Sequence, residues 1–152
     1  MALNPDFVGR VYPPSAPYLV GREKVREFAS AIGDLNPAYH DVDAARALGY
    51  ADLVAPPTFA VIVSMRASSA VIHDPDLGLD YSRVVHGEQR FSYARSIVAG
   101  DELVVTTTIE SIRTAAGNDL ILTRADIATV AGERVATTHS LIVARGAESD
   151  AA

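Results

Sequence analysis

The chain has 152 residues and a mass of 16.1 kDa, room for one ordinary domain, and 49% of its residues are hydrophobic, enough for a buried core. A formal net charge of -6 with 21% charged residues argues against binding phosphate backbones or anionic lipid, so neither nucleic acid nor membrane is an expected partner. The absence of cysteine removes disulfide scaffolds, thiolate nucleophiles, cysteine-held zinc and iron–sulfur clusters.

Met1-Ala2-Leu3-Asn4-Pro5-Asp6 has no basic run ahead of an apolar core, so it does not read as a signal peptide, and a cytoplasmic location is expected. Residues 1–17 contain Pro5, Pro13, Pro14 and Pro17, each lacking a backbone donor and fixing φ, which predicts an extended N-terminal arm. A short strand is expected at 18–20. Val25, Phe28, Ala29 and Ile32 then fall at i, i+3, i+4 and i+7, which predicts an amphipathic helix over 22–33 ended by Gly33. Asp41-Val42-Asp43 offers capping carboxylates to a second short helix over 44–48, with Gly49 as its terminator.

Pro57 suits the first turn of a third helix running to about Ile72. That helix is apolar around most of its circumference, which predicts burial on several sides, with Phe59 and Met65 in the core. Its apolar run is far short of the roughly 20 residues a membrane span needs. Beyond it, 84–97, 101–114, 119–130 and 134–144 are rich in Val, Ile, Thr and Tyr and are separated by glycine-containing breaks, which predicts an antiparallel meander of long strands. In the first of these, Gln89 and Phe91 should share one face, and Glu88 and Arg90 the other. Residues 146–152 read as a flexible tail. The expected architecture is α+β, a single domain over 18–145 in which a curled antiparallel sheet wraps around a long central helix.

Gly33-Asp34-Leu35-Asn36-Pro37, between an amphipathic helix and a short acid-capped one, resembles the G-D-x-N-P-x-H-x-D hydratase motif of the MaoC-like hot-dog family. Val54-Ala55-Pro56-Pro57-Thr58-Phe59, His86-Gly87-Glu88-Gln89-Arg90-Phe91 and Val98-Ala99-Gly100-Asp101-Glu102-Leu103 resemble three further marks of one branch, the N-terminal FAS1-like dehydratase domains. The resemblance extends from about Phe7 to Arg145. It implies a hot-dog fold and an (R)-specific hydratase or dehydratase acting on 3-hydroxyacyl or trans-2-enoyl thioesters of CoA or acyl carrier protein. It also implies no metal, no organic cofactor, and a homodimer or a heterodimer with a second MaoC-like hot-dog chain. Within the branch, heterodimeric dehydratases of fatty-acid and mycolic-acid elongation pair a chain like this with another.

Eliminating water from a 3-hydroxyacyl thioester needs a base for the α-proton, an acid for the leaving hydroxyl and donors for the enolate-like oxygen. The resemblance makes Asp34 the family carboxylate; the residues alone also read it as an Asx-turn carboxylate beside Asn36. The family histidine position holds Tyr39, with His40 one place later, so the catalytic candidates are Asp34 and His40. Tyr39 can donate a hydrogen bond but, with an ordinary pKa near 10, is a poor base. Where active members carry A-H-G, this chain has Ala55-Pro56-Pro57, and proline has no N–H to offer an oxyanion; the Thr58 N–H substitutes if the loop is shifted by one residue.

Asn36, Tyr39, Pro57, Thr58, Phe59, His86 and Gly87 are the expected substrate-binding residues, with His86 either structural or packed against the acyl tunnel or the partner. Three functions are weighed: a supporting, acyl-binding subunit of a (3R)-hydroxyacyl-thioester dehydratase, a self-sufficient hydratase homodimer using Asp34 with His40 or His86, and a non-catalytic acyl-thioester binding module.

Overall fold

The computed structural model describes residues 3–145, so the expected tail at 146–152 lies outside the described residues. In chain order the elements are β1 (Tyr18–Leu19), α1 (Arg22–Ala31), α2 (Val42–Ala47), α3 (Ala60–Ile72), β2 (Val84–Tyr93), β3 (Glu102–Ala115), β4 (Asn118–Thr129) and β5 (Arg134–Ala144). The five strands form one antiparallel sheet in the order β1-β3-β4-β5-β2, curled against α3, which is the expected α+β hot-dog arrangement.

The meander is correct only for β3, β4 and β5. β3 turns into β4 through Ala116 and Gly117, both at positive φ, the geometry of a two-residue hairpin turn. β2 does not join β3; it pairs with β5 at the far edge. The glycine break at Gly100 is not a hairpin because 94–101 finds other backbone partners. Ala55 N–H donates to the Ile97 carbonyl and Ala99 N–H to the Leu53 carbonyl, so the segment pairs with the stretch before α3; Gly100 and Val20 then lead it to β1. The Arg95 guanidinium pins this crossover, forking to the Asp101 carboxylate at 2.8 and 3.0 Å and to Glu133 at 2.8 and 3.1 Å. A carboxylate gripped by a planar fork is among the stronger surface ties available to a chain.

Two apolar clusters fill the space between sheet and helix. One gathers Val25, Phe59, Val63, Leu103, Val105, Ile127 and Ala136, the other Leu3, Phe7, Val71, Leu77, Ile109, Ile121 and Ile142. The sheet covers only part of the helix circumference: Met65 is 64% exposed, and Arg66, Ser69 and Ala70 are exposed with it, so the expected burial on several sides does not extend to this face. Met65 therefore leaves the core that Phe59, fully buried, enters.

The proline-rich arm runs along β3. The N–H groups of Gly9, Tyr12 and Ser15 donate to the carbonyls of Ile109, Thr107 and Val105, while Leu3, Phe7 and Tyr12 pack into the second cluster. The arm and β1 thus cover one edge of the sheet and leave β2 as the uncovered edge among the described residues.

Tyr12 ties the arm to the end of α3 by donating its hydroxyl to Asp74 at 3.0 Å. Burial, with the Asp74 bond and charge behind it and Arg10 opposing, pushes the phenol up to about 12. Its folded-state value stands above the ordinary 10.0, so the stabilisation is fully present below pH 10 and lost as pH climbs through about 12. Urea unfolding across that window should show falling stability, and Tyr12→Phe should flatten the slope; an unchanged slope would contradict the assignment.

Candidate functional site

The loop after α1 is shaped by its own short-range hydrogen bonds. Gly33, at φ +73, ends the helix, and Asp34 N–H returns to the Ala29 carbonyl at 2.9 Å. The Asp34 carboxylate accepts from Asn36 N–H at 3.1 Å, an Asx turn, and the Asn36 side-chain oxygen accepts from Ala38 N–H at 3.0 Å, capping a single helical turn at Pro37–Tyr39. Asp41 then caps α2 by accepting from Asp43 and Ala44.

His40 is tied on two sides, by the Asp34 main chain and by the Arg26 side chain. Its Nε2 lies 2.9 Å from the Asp34 carbonyl, and its own carbonyl accepts from Arg26 Nε at 2.9 Å. A carbonyl oxygen only accepts, so in this arrangement Nε2 carries a proton and orients the ring in the loop, which leaves Nδ1 as the other ring nitrogen. The residue beside it behaves differently: Tyr39 lines a cleft, and burial, then the Asp34 charge and then Tyr50, raise its phenol above the ordinary value. It is a neutral donor at physiological pH, not a base.

That cleft has a volume of about 240 Å³ and brings together Asn36, Tyr39 and Pro57 with Tyr50, Tyr93 and Ser96. Of the other residues singled out in the sequence, Asp34 and His40 belong to the same loop but not to the lining, and Thr58 is exposed ahead of α3. Phe59 is buried edge-on to Phe28 at 5.4 Å. His86 and Gly87 lie on β2, outside the lining of the cleft. Two larger depressions of about 640 Å³ contain none of the sequence candidates: one lies past the C-terminal end of α3 beside His73 and Asp74, the other beside Glu110, Arg124 and His139.

Gln89 and Phe91 do share a face, and a bulge adds His86 to it. The β2–β5 register shifts at Gly87, so residues three apart come to the same side: His86 Nε2 stands 3.1 Å from the Gln89 side-chain oxygen and 3.1 Å from Ser140 Oγ. A Cβ at Gly87 would lie 3.2 Å from a Val143 methyl, so a side chain there requires Val143 to give way by a few tenths of an ångström.

Two site residues escaped the sequence reading. Tyr93 continues the Gln89 and Phe91 alternation, a signal that was available; its ring stacks on Phe91 at 6.5 Å. Its hydroxyl donates to the Pro57 carbonyl at 2.6 Å and accepts from Ala60 N–H, so it ties the sheet to the start of α3. Burial raises the Tyr93 phenol, with the Ala60 bond opposing. Tyr50 carries no motif; its N–H reaches the Ala45 carbonyl, and it packs with Ala38, Ala45 and Val54. Tyr93→Phe keeps the ring and removes both ties, and should cost about 0.5–1.5 kcal/mol in urea unfolding; no loss would mean the hydroxyl does not hold the helix start.

Known proteins place this geometry. Residues 6–138 match the family model described as FAS1-like, dehydratase domain region. UPF0336 protein SCO4636 of Streptomyces coelicolor is 59% identical over 97% of this chain and 99% of its own length. A UPF0336 protein of Saccharopolyspora erythraea is 54% identical over 99% and 96%. Among solved structures, a protein described as a MaoC-like dehydratase superposes with a TM-score of 0.85 at 41% identity, covering 93% of this chain and 43% of that one. The HadBC (3R-hydroxyacyl-ACP dehydratase) complex of Mycobacterium tuberculosis superposes with a TM-score of 0.81 at 33% identity, covering 91% of this chain and 97% of that one. The chain belongs to the FAS1-like dehydratase-domain family, within the MaoC-like hot-dog hydratases and dehydratases.

Proposed function

We propose that this chain is a subunit of an (R)-specific 3-hydroxyacyl-thioester dehydratase, acting in the cytoplasm in fatty-acid-type metabolism, that holds the acyl thioester and supports a catalytic hot-dog partner. The observation that carries the reading is what lines the cleft: Tyr39, a neutral phenol, stands on it, and neither Asp34 nor His40 does. Elimination needs a group that can take the α-proton, and the described lining of the cleft offers donors and no base.

The helix start agrees with this. Pro56 and Pro57 have no N–H, and the Pro57 carbonyl is already engaged by Tyr93, so the segment leading into α3 presents Thr58 N–H as its earliest donor after the prolines. In a supporting chain that donor and Asn36 position an acyl thioester, and the partner supplies the working Asp and His.

The sheet supports pairing of that kind. β2 is a ten-residue strand with one side uncovered, whereas the opposite edge is covered by β1 and the arm. An open strand edge of this length is a template for another strand. The HadBC relative is described as a two-component complex, and the MaoC-like dehydratase is long enough that this chain spans under half of it. Both fit a chain that works beside a second hot-dog unit.

Purified alone, the chain should dehydrate 3-hydroxyacyl thioesters negligibly, and co-expression with a hot-dog chain bearing an intact Asp/His site should restore turnover. Strong turnover by the lone chain, abolished by Asp34→Asn, would contradict the proposal and favour the self-sufficient homodimer.

A further inference from the structure

The segment Val98-Ala99-Gly100-Asp101-Glu102-Leu103 supplies no lining residue to the cleft, yet its Asp101 anchors one of the cleft's walls. A guanidinium has five N–H donors, and Arg95 uses all of them. Nε donates to Glu133 Oε1 at 2.8 Å, Nη1 to Asp101 Oδ2 at 2.8 Å and to the Ser96 carbonyl at 3.0 Å, and Nη2 to Asp101 Oδ1 at 3.0 Å and Glu133 Oε2 at 3.1 Å. A planar group bound at every donor has one orientation, which the ammonium of lysine cannot reproduce. The Asp101 carboxylate also accepts from Val98 N–H at 2.9 Å. Its side chain is 10% exposed and that of Arg95 30%, so water competes with this fork less than it does at an open surface.

Arg95 and Asp101 bracket a short run that builds the wall. Ser96 lines the cleft directly. The Ile97 carbonyl accepts from Ala55 N–H at 2.8 Å, Val98 pairs with Val54, and Ala99 N–H donates to the Leu53 carbonyl at 2.8 Å. Val54, Ala55 and Pro57 are lining residues as well, so whatever fixes 96–99 fixes them. The rest of the lining, including Asn36, Tyr39 and Tyr50, meets this wall where Val54 N–H donates to the Ala38 carbonyl at 3.3 Å. Arg95 is not itself in the lining, so it acts on the cleft only through the wall it holds.

We infer that Arg95, locked between Asp101 and Glu133, is a positioning residue for the dehydratase reaction, setting the wall of the cleft against which the acyl thioester is held. The assignment rests on the acyl-thioester reading. A supporting chain holds substrate while its partner moves the proton. Loss of the fork therefore weakens holding in the ground state and the transition state alike, which raises KM and leaves kcat in place.

Arg95→Lys keeps the charge and loses the fork, whereas Asp101→Asn keeps the shape and an acceptor for Val98 N–H and loses the charge. Each variant is co-expressed with a catalytic hot-dog partner, and steady-state dehydration of 3-hydroxybutyryl-CoA is followed at a temperature where urea unfolding shows every variant folded. Both should raise KM roughly three- to tenfold with kcat within about twofold of the unaltered pair. The double variant should be no worse than the worse single, because both changes remove one fork. Arg124→Lys loosens an arginine paired with Glu110 and Asp126 away from the cleft, and should leave KM unchanged.

An unchanged KM in both fork variants would overturn the assignment, whatever their stability, and leave the acyl-thioester reading standing. An equal rise in KM in Arg124→Lys would reveal a general loosening and overturn it too, as would a fall in kcat at constant KM. Failure of the unaltered pair to dehydrate the thioester would overturn the acyl-thioester reading and the assignment with it.

Discussion

The arrangement of the site depends on one tie between sheet and helix, the Tyr93 hydroxyl. It gives its proton to the Pro57 carbonyl at 2.6 Å and takes one from Ala60 N–H, so the uncovered strand of the sheet and the first turn of α3 are fixed to each other. The loop that carries Tyr39 packs against the same corner, because Val54 N–H donates to the Ala38 carbonyl and Ala38 is buried with Ala45 and Val54. Three segments far apart in the chain thus meet around one small cleft. Every hydrogen bond in that corner is short-range or made to main chain, the kind of contact that holds a shape without leaving a charged group to work.

The same economy explains what the loop does not do. Each polar side chain from Asp34 to Asp41 that a catalyst would use is engaged in building the turn: Asp34 and Asn36 accept backbone N–H groups, His40 returns to the Asp34 carbonyl, and Asp41 caps α2. The Nε2 hydrogen bond fixes the orientation of the His40 ring, and His40 is not among the residues that line the cleft. The loop presents Asn36, Ala38 and Tyr39 to the cleft, and burial and the nearby Asp34 charge keep the Tyr39 phenol neutral. The fold of a dehydratase is present, and neither Asp34 nor His40 is among the residues that line the cleft.

Much of this was legible in the sequence because it rests on local rules. The helix over Arg22–Ala31 follows from the spacing of Val25, Phe28 and Ala29, and Gly33 stops it by adopting positive φ. β5 occupies the predicted 134–144, and Gln89 and Phe91 share a face as strand alternation requires. What could not be read were choices between equally good local partners. The break at Gly100 looks like the other two, yet Leu53 and Val20 outcompete a hairpin for its backbone groups, and β2 is carried to β5. The exposed face of Met65 was hidden by its apolar neighbours, since hydrophobicity alone does not say on how many sides the sheet wraps a helix. Tyr50 joins the site through packing that spacing does not encode, and the direction of the His40 ring is decided by a single hydrogen bond.

The central claim is that the chain holds an acyl thioester without taking its α-proton, and proton abstraction can be observed separately from elimination. The lone chain is incubated with a 3-hydroxyacyl thioester in deuterated water, and exchange at the carbon next to the thioester carbonyl is followed by NMR. The account predicts no exchange above the rate in buffer. Enzyme-dependent deuterium incorporation, lost in Asp34→Asn or His40→Ala, would show a working base in this chain and contradict it.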